Sequence, residues 1–256
     1  MTFDAAMPPI LAVRDLTVRF GSLTAVNAVS FHARQGHITS LIGPNGAGKS
    51  TLFNLVSGAI RPNSGQVQFD GQDVTGNTPH RLLIAGLARS FQITNLFFEL
   101  SVFENLRLAA QRLEPPSRAL WPIRHSIVAR QRAEELIDRF SLAAKAHELA
   151  GTMSHGEQRR LEIAVALACK PKLLLLDEPT QGMSHADTEE TGEMIKSLAG
   201  ELSILLVEHD VGLVMNLSDH VVVMTHGAKL AEGLPADVRA NPAVQAAYFG
   251  SGAGHA

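Results

Sequence analysis

Nine consecutive residues, 43–51, carry the chain's clearest chemical pattern: GPNGAGKST. They follow an apolar run at residues 38–42, which predicts a buried strand. Glycines let the backbone approach an anion closely, and Lys49 adds a positive charge for the β- and γ-phosphates of a nucleotide. Ser50 offers a hydroxyl oxygen to Mg²⁺, and the helix predicted to open near Gly48 directs its dipole at the phosphates. We call this segment the phosphate loop. Its candidate nucleotide-binding residues are Gly43, Pro44, Asn45, Gly46, Ala47, Gly48, Lys49, Ser50 and Thr51.

Two adjacent carboxylates, Asp177 and Glu178, follow the apolar residues 173–176. A continuous apolar run is typical of a central parallel strand covered on both faces, and open α/β sheets bind ligands at the carboxyl ends of such strands. Asp177 is therefore a candidate Mg²⁺ ligand, and Glu178 a candidate general base for an attacking water. An Asp-Glu-Pro sequence can also simply end a strand, but the phosphate loop upstream favours the catalytic interpretation.

A second loop, residues 154–158, has the sequence SHGEQ and precedes a helical apolar pattern. Ser154 and Glu157 fit a capping box, which explains both residues without any nucleotide. The capping box does not explain Gly156 or Gln158. The two interpretations are compatible, because a capped helix N-terminus is itself an anion site.

Three further positions are singled out by where they fall. His209 follows the apolar residues 203–207, at a carboxyl strand end where a neutral imidazole could bind the γ-phosphate. Gln92 follows a predicted edge strand, and Phe20 closes an alternating strand near the start. A surface glutamine and a core phenylalanine are the alternatives for the last two.

In this order, the motifs resemble those of the ABC-type ATPases over nearly the whole chain. The resemblance implies that residues 154–158, the signature loop, close over the γ-phosphate held by a facing ATPase chain. It also implies the following roles. Catalytic residues are Glu178, His209 and Lys49; metal ligands are Ser50, Gln92 and Asp177; nucleotide contacts include Phe20, Gln92, Ser154, Gly156 and Gln158; the cofactors are ATP and Mg²⁺. His155 and Ser184 depart from the common pattern, where glycine and aspartate are usual.

The C-terminal part is similar to the ATPases of branched-chain amino acid importers, at the VEHD sequence of residues 207–210, Asn241-Pro242 and the AYFG sequence of residues 247–250. That subfamily pairs two ATPase chains with integral membrane permeases and, indirectly, a periplasmic solute-binding protein. Urea-import and lipopolysaccharide-export ATPases are close relatives. The sequence leaves open whether the facing ATPase is a second copy or a paralogue, and which substrate is moved.

The elements that must position these residues predict an α/β fold of the P-loop NTPase (RecA-like) type. We expect a parallel sheet core, an N-terminal antiparallel β subdomain at residues 11–33, and an α-helical insert with helices at 102–113 and 127–140. Residues 1–94 and 156–256 are the predicted nucleotide-binding core, and 95–155 the helical subdomain that carries the signature loop. Strand–helix alternation from residue 172 onward predicts parallel strands to the end of the chain.

Composition excludes several classes. The 256 residues are 45% hydrophobic with a net charge of −3. The sequence has no long basic block, so it does not predict a nucleic-acid partner. A single cysteine, Cys169, allows no intrachain disulfide, and no apolar stretch is long enough for a membrane span. We therefore expect a cytoplasmic protein, and the resemblance to transporter ATPases implies that it is peripheral on the inner face of the cell membrane. A soluble ABC-type ATPase acting on nucleic acid or ribosomes, or a nucleotide-regulated module without turnover, are the alternatives.

Overall fold

The computed structural model describes residues 8–90, 96–115 and 126–249. The strands are β1 (Leu11–Phe20), β2 (Leu23–Ala33), β3 (Ile38–Ile42), β4 (Ser64–Phe69), β5 (Gln72–Asp73), β6 (Leu87–Arg89), β7 (Leu173–Asp177), β8 (Ser203–Val207), β9 (His220–Thr225) and β10 (Ala228–Gly233). The α-helices are α1 (Lys49–Val56), α2 (Pro79–Ala85), α3 (Val102–Ala110), α4 (Ile127–Arg139), α5 (His155–Leu167), α6 (His185–Leu198), α7 (Val211–Leu217), α8 (Pro235–Ala240) and α9 (Pro242–Phe249).

The N-terminal antiparallel sheet has the strand order β2-β1-β4-β5. Its first hairpin turns at Gly21-Ser22, where Phe20 pairs with Leu23. The β4–β5 hairpin turns at Asp70 and Gly71, with φ of 49° and 75°, the left-handed pair of a type I′ turn. The predicted antiparallel subdomain is therefore confirmed.

The second sheet has the order β10-β9-β3-β8-β7-β6, and the pairs from β9 to β6 are all parallel. The carboxyl ends of β3, β7 and β8 consequently meet at one edge. The prediction of parallel strands to the end of the chain was wrong for β10, which pairs antiparallel with β9. Only His226 and Gly227 separate these two strands, and a parallel connection needs a crossover of a dozen or more residues.

Strand β7 shows why its sequence is continuously apolar. Leu173 and Leu175 pack in the cluster shared with the antiparallel sheet and α1. Leu174 and Leu176 point to the other face, into the cluster formed with α3, α4 and α5. Both faces of the strand are buried, as expected for a parallel strand between two layers.

The helices at residues 102–113 and 127–140 are present as α3, extended by one 3-10 turn (Gln111–Leu113), and as α4. They pack against each other and, through buried residues such as Leu106 and Leu136, against the sheet. Across the described ranges, no helix is both long and apolar enough to cross a bilayer.

Candidate functional site

The phosphate loop runs from the end of β3 into the first turn of α1. Gly43 has φ of 154°, and a Cβ there would overlap the carbonyl oxygen of Met224. Gly48 caps α1 with φ of 95°, and a Cβ there would overlap the carbonyl oxygen of Ala25. The close packing of strands β2 and β9 against this loop therefore requires glycine at both positions, which agrees with the predicted strand–loop–helix arrangement.

Lys49 is 5% exposed and folds its ammonium over the loop. Its Nζ donates to the carbonyl oxygens of Gly43 at 2.6 Å and Pro44 at 3.1 Å. Burial lowers the pKa of Lys49, and the negative charge of Glu178 acts in the opposite direction. In the sheet, β3 and β7 lie on either side of β8, so the phosphate loop and the acidic strand end are close enough for Lys49 and Glu178 to interact electrostatically.

Asp177, the last residue of β7, is 1% exposed. Its Oδ2 accepts a hydrogen bond from Arg89 at 3.1 Å, while its Oδ1 is buried and accepts none from the described residues. Burial raises the pKa of Asp177 despite the opposing charge of Arg89. A buried carboxylate oxygen with remaining acceptor capacity is suited to a cation.

Arg89, at the edge strand β6, is a site residue that the sequence analysis missed. Its guanidinium also donates to Asn54 and Ser57 of the α1 region, at 2.6 and 2.7 Å, and lies 4.7 Å from the Phe53 ring centroid. It therefore joins the helix that follows the phosphate loop to the acidic strand end. An arginine three residues before Gln92 in a short edge strand was the available signal.

Glu178 lies just beyond β7 with a left-handed φ of 47°, which non-glycine residues rarely adopt. Its carboxylate is 7% exposed, and Oε1 lies 2.5 Å from Nε2 of His209. His209 follows β8, the strand that pairs with β7, so the sheet register brings the two predicted catalytic side chains together. An outlying backbone conformation at such a position is a common property of functional sites.

The signature loop forms the capping box that its sequence predicts. Ser154 accepts from the Glu157 backbone, and the Glu157 side chain accepts from the Ser154 N–H at 2.8 Å. The side chain of Gln158 also has a local structural role, because its Nε2 donates to the carbonyl oxygens of Ala150 and Met153. Within the described ranges, no hydrogen bond or ion pair connects this loop with the phosphate loop.

Gly156 is different, since no described residue packs closely enough to require a glycine there. A Cβ at this position would lie 3.5 Å from Oδ1 of Asp187, an ordinary contact. Ser184 caps α6, accepting from the Asp187 N–H and donating to its carboxylate at 2.6 Å. Asp187 thus provides a carboxylate close to the position where Ser184 departs from the pattern.

Phe20 and Gln92 are two further residues that the sequence predicts to contact the nucleotide. Phe20 ends β1 and is 50% exposed, so its ring is accessible for stacking rather than buried in a core. Gln92 lies outside the described residues, and its predicted role stays a prediction.

Two families of known proteins match parts of this chain. The family described as "ABC transporter" matches residues 26–181, and the one described as "Branched-chain amino acid ATP-binding cassette transporter" matches residues 228–254. The high-affinity branched-chain amino acid transport ATP-binding protein BraF of Pseudomonas aeruginosa is 40% identical over 94% of this chain and 98% of its own. LivG of Escherichia coli (strain K12), with the same description, is 39% identical over 94% and 98% of the two chains.

Solved structures agree. The ADP conformation of an ATP-binding cassette of an ABC transporter has a TM-score of 0.84 and 31% identity, covering 95% of this chain and 100% of that one. A nucleotide-free cassette has a TM-score of 0.83 and 30% identity, covering 94% and 99%. The phosphate loop, the acidic strand end and the overall fold lead to the same conclusion: this chain belongs to the ABC transporter family and is an ATP-binding cassette ATPase.

Proposed function

We propose that this chain is the ATP-hydrolysing subunit of an importer for branched-chain or related amino acids. The observation that carries the catalytic part is the 2.5 Å contact between His209 and Glu178 in the site that also contains Lys49. A general base, a partner that orients it and a cation for the transferred phosphate are the groups that phosphoryl transfer to water needs.

The residues present fit Mg²⁺. Asp177 supplies a buried carboxylate oxygen that accepts no hydrogen bond from the described residues. Ser50 is exposed in the first turn of α1 and can offer its hydroxyl oxygen. Across the described ranges, no group of three or more His, Cys, Asp and Glu could hold a metal ion. Mg²⁺ in such sites binds through one or two protein groups together with substrate phosphates. When bound, it neutralises charge on the triphosphate; Asp177, Ser50 and Gln92 are the proposed ligands.

The proposed mechanism assigns one task to each remaining group. The phosphate-loop N–H groups and Lys49 bind the β- and γ-phosphates, and Phe20 stacks on the adenine. Glu178 accepts a proton from the water that attacks the γ-phosphate. His209 orients the Glu178 carboxylate and contacts the γ-phosphate.

The test is Glu178→Gln in the full chain, measured together with the partners that copurify. Mg-ATP should still bind, while hydrolysis should slow by at least about 10²-fold, since general bases contribute on that order. Glu190→Gln is the matched control, because Glu190 pairs with Arg160 on the surface at 2.8 Å. Turnover of Glu178→Gln close to that of Glu190→Gln would exclude Glu178 as the base.

We further propose that two ATPase chains, either identical or paralogous, face each other, with Ser154 and Gly156 of one covering the γ-phosphate held by the other. Gly156 supports this arrangement, because among the described residues none packs closely enough to require a glycine there. A close approach from another molecule is a physical reason for glycine at that position.

A crosslink tests the facing arrangement. In a Cys169→Ser background, cysteines are placed near Ser154 in one chain and near Gly46 in the other, and ATP is trapped with Glu178→Gln. A disulfide should form with ATP and not without it. A control cysteine at Lys196, which is exposed on α6, should not crosslink. Absence of the crosslink with the native partner present would contradict the facing arrangement.

Transport supplies the last part of the proposal. The relatives at 39–40% identity are branched-chain amino acid transport ATP-binding proteins. We propose that residues 1–94 and 156–256 form the nucleotide-binding core, and that the helical subdomain 95–155 contacts a permease at the inner face of the membrane. A periplasmic binding protein would deliver the amino acid.

Copurification of permease subunits, and loss of leucine uptake in cells carrying Glu178→Gln, would support this assignment. Loss of urea uptake with leucine uptake intact would contradict it.

A further inference from the structure

Glu208 is a buried carboxylate next to His209, and the mechanism above does not use it. The residue is 4% exposed and directly follows β8. Its Oε1 accepts from the backbone N–H of Thr180 at 3.0 Å and from the Thr180 hydroxyl at 2.7 Å. Its Oε2 accepts from the backbone N–H of His209 at 3.0 Å. A buried carboxylate with three donors is well satisfied and holds those donors in place.

Together with the Glu178–His209 contact, these hydrogen bonds form a ring of four residues: Glu208, Thr180, Glu178 and His209. Thr180 lies two residues after Glu178, whose left-handed φ of 47° must be maintained by its surroundings. The Glu178 carboxylate contacts His209 at 2.5 Å, and the His209 backbone returns to Glu208. Glu208 therefore holds the backbone of Thr180, two residues after Glu178, and the backbone of His209.

We propose that Glu208 is a positioning residue that holds Glu178 and His209 in the geometry needed for hydrolysis, an inference that rests on the proposed roles of those two residues. A carboxylate is needed because both of its oxygens face donors. An amide in its place keeps an acceptor toward Thr180 and turns an N–H₂ group toward the His209 N–H. Glutamine should therefore preserve the Thr180 side of the ring and lose the His209 side.

Three variants separate these contacts in the full chain with its copurifying partners. Glu208→Ala removes the whole connection, Glu208→Gln removes the His209 side, and Thr180→Val removes the hydroxyl donor alone. Ser203→Ala is the matched control. Ser203 is fully buried at the opposite end of β8 and accepts the Gly36 N–H at 3.0 Å. Its loss should lower thermal stability without reaching the site.

We expect kcat of Glu208→Ala to fall by about 10²-fold relative to Ser203→Ala, the size of effect that a misplacement of about 1 Å produces. KM for ATP should change by no more than about twofold, because the phosphate loop is untouched. Glu208→Gln and Thr180→Val should lie between the control and Glu208→Ala. All rates are compared at equal fractions folded, so that lost stability cannot account for them.

If Glu208→Ala and Glu208→Gln both turn over like Ser203→Ala, Glu208 is only structural and the inference is overturned. If Glu208→Ala does not fold, the ranking of Glu208→Gln and Thr180→Val against the control decides in the same way. Glu178→Gln separates the two proposals. Wild-type turnover in Glu178→Gln would refute the proposed function. Loss of turnover there, with Glu208→Ala like the control, would refute only the role of Glu208.

Discussion

Arg159, the fifth residue of α5, donates from Nη2 to the backbone carbonyl of Asp177 at 3.1 Å. Its Nε donates to the carbonyl of Pro179 at 3.0 Å, and its Nη1 pairs with Glu162 at 2.6 Å. The helix that the signature loop opens is thus attached directly to the backbone on both sides of Glu178. Movement of α5 and the position of Glu178 are mechanically connected.

Arg159→Ala should therefore slow hydrolysis by about tenfold or more while leaving ATP affinity unchanged, because small displacements of a catalytic group are costly. The neighbouring Arg160→Ala is a matched control. Arg160 pairs with Glu190, whose side chain is 61% exposed, and exposed ion pairs contribute little. Steady-state kcat and KM of both variants check the prediction, and equal rates for the two would contradict it.

Lys49→Ala should weaken ATP binding by about 10- to 100-fold, since a hydrogen bond to a charged group is worth about 1.5–3 kcal/mol. The side chain also secures the loop through the Gly43 and Pro44 carbonyls, so its loss removes pre-organisation as well. Equilibrium titration with a fluorescent ATP analogue measures the effect, with the exposed Lys196→Ala as the control. Unchanged affinity would place the phosphates elsewhere.

Tyr248, on α9, is the single tyrosine of the chain and can be titrated directly at 295 nm. Burial raises its pKa to about 12, and a hydrogen bond from the Gly43 backbone opposes the rise. In the unfolded chain the phenol ionises at about 10, so the unfolded state loses its proton first. Stability should consequently fall as pH rises from about 10 to 12, and less so in Tyr248→Phe. Titration near pH 10 with an intact far-UV circular dichroism spectrum would contradict this.

His220, the first residue of β9, should make the protein less stable in mild acid. Burial lowers its pKa, and the charges of His32, Arg34 and Lys229 act in the same direction, while Glu232 opposes them. The unfolded chain therefore binds this proton at a higher pH, near 6.5, than the folded chain does. Stability contributed by neutral His220 is present above that pH and declines below it.

Thermal midpoints between pH 5 and 7.5 measure this effect. His220→Gln should flatten the acid side of the curve, whereas His185→Gln, whose side chain is 88% exposed, should leave it unchanged. Parallel curves for wild type and His220→Gln would show that another group is responsible.

Much of the fold was predictable because its signals are local. The phosphate loop needs a strand before it and a helix after it, and the glycines at positions 43 and 48 specify both boundaries. The two-residue turns at Gly21-Ser22 and Asp70-Gly71 likewise predict a hairpin from local sequence alone. The direction of strand β10 was predicted wrongly because the regular alternation of strands and helices before it gave no indication of the short turn at His226.

The supporting residues of the site could not be predicted in the same way. Arg89 reaches Asp177 only because β6 pairs with β7 in a particular register, and Glu208 reaches Thr180 only because β8 pairs with β7. The spacing of residues within one segment does not predict the pairing register of strands that are distant in the sequence. A glutamate directly after an apolar strand, where burial was expected, was the one signal for Glu208. For Gln158, local hydrogen bonds now account for a residue that the capping box had left unexplained.

The C-terminal helices share a buried cluster with the strand that leads into the phosphate loop. Ile42 packs there with Val214 of α7 and with Val238 and Val244 of α8 and α9. The segment that matches the branched-chain amino acid family, residues 228–254, is therefore not an exchangeable appendage. Chimaeras that graft this tail onto another cassette would need to exchange its counterparts on β3 and α7 as well.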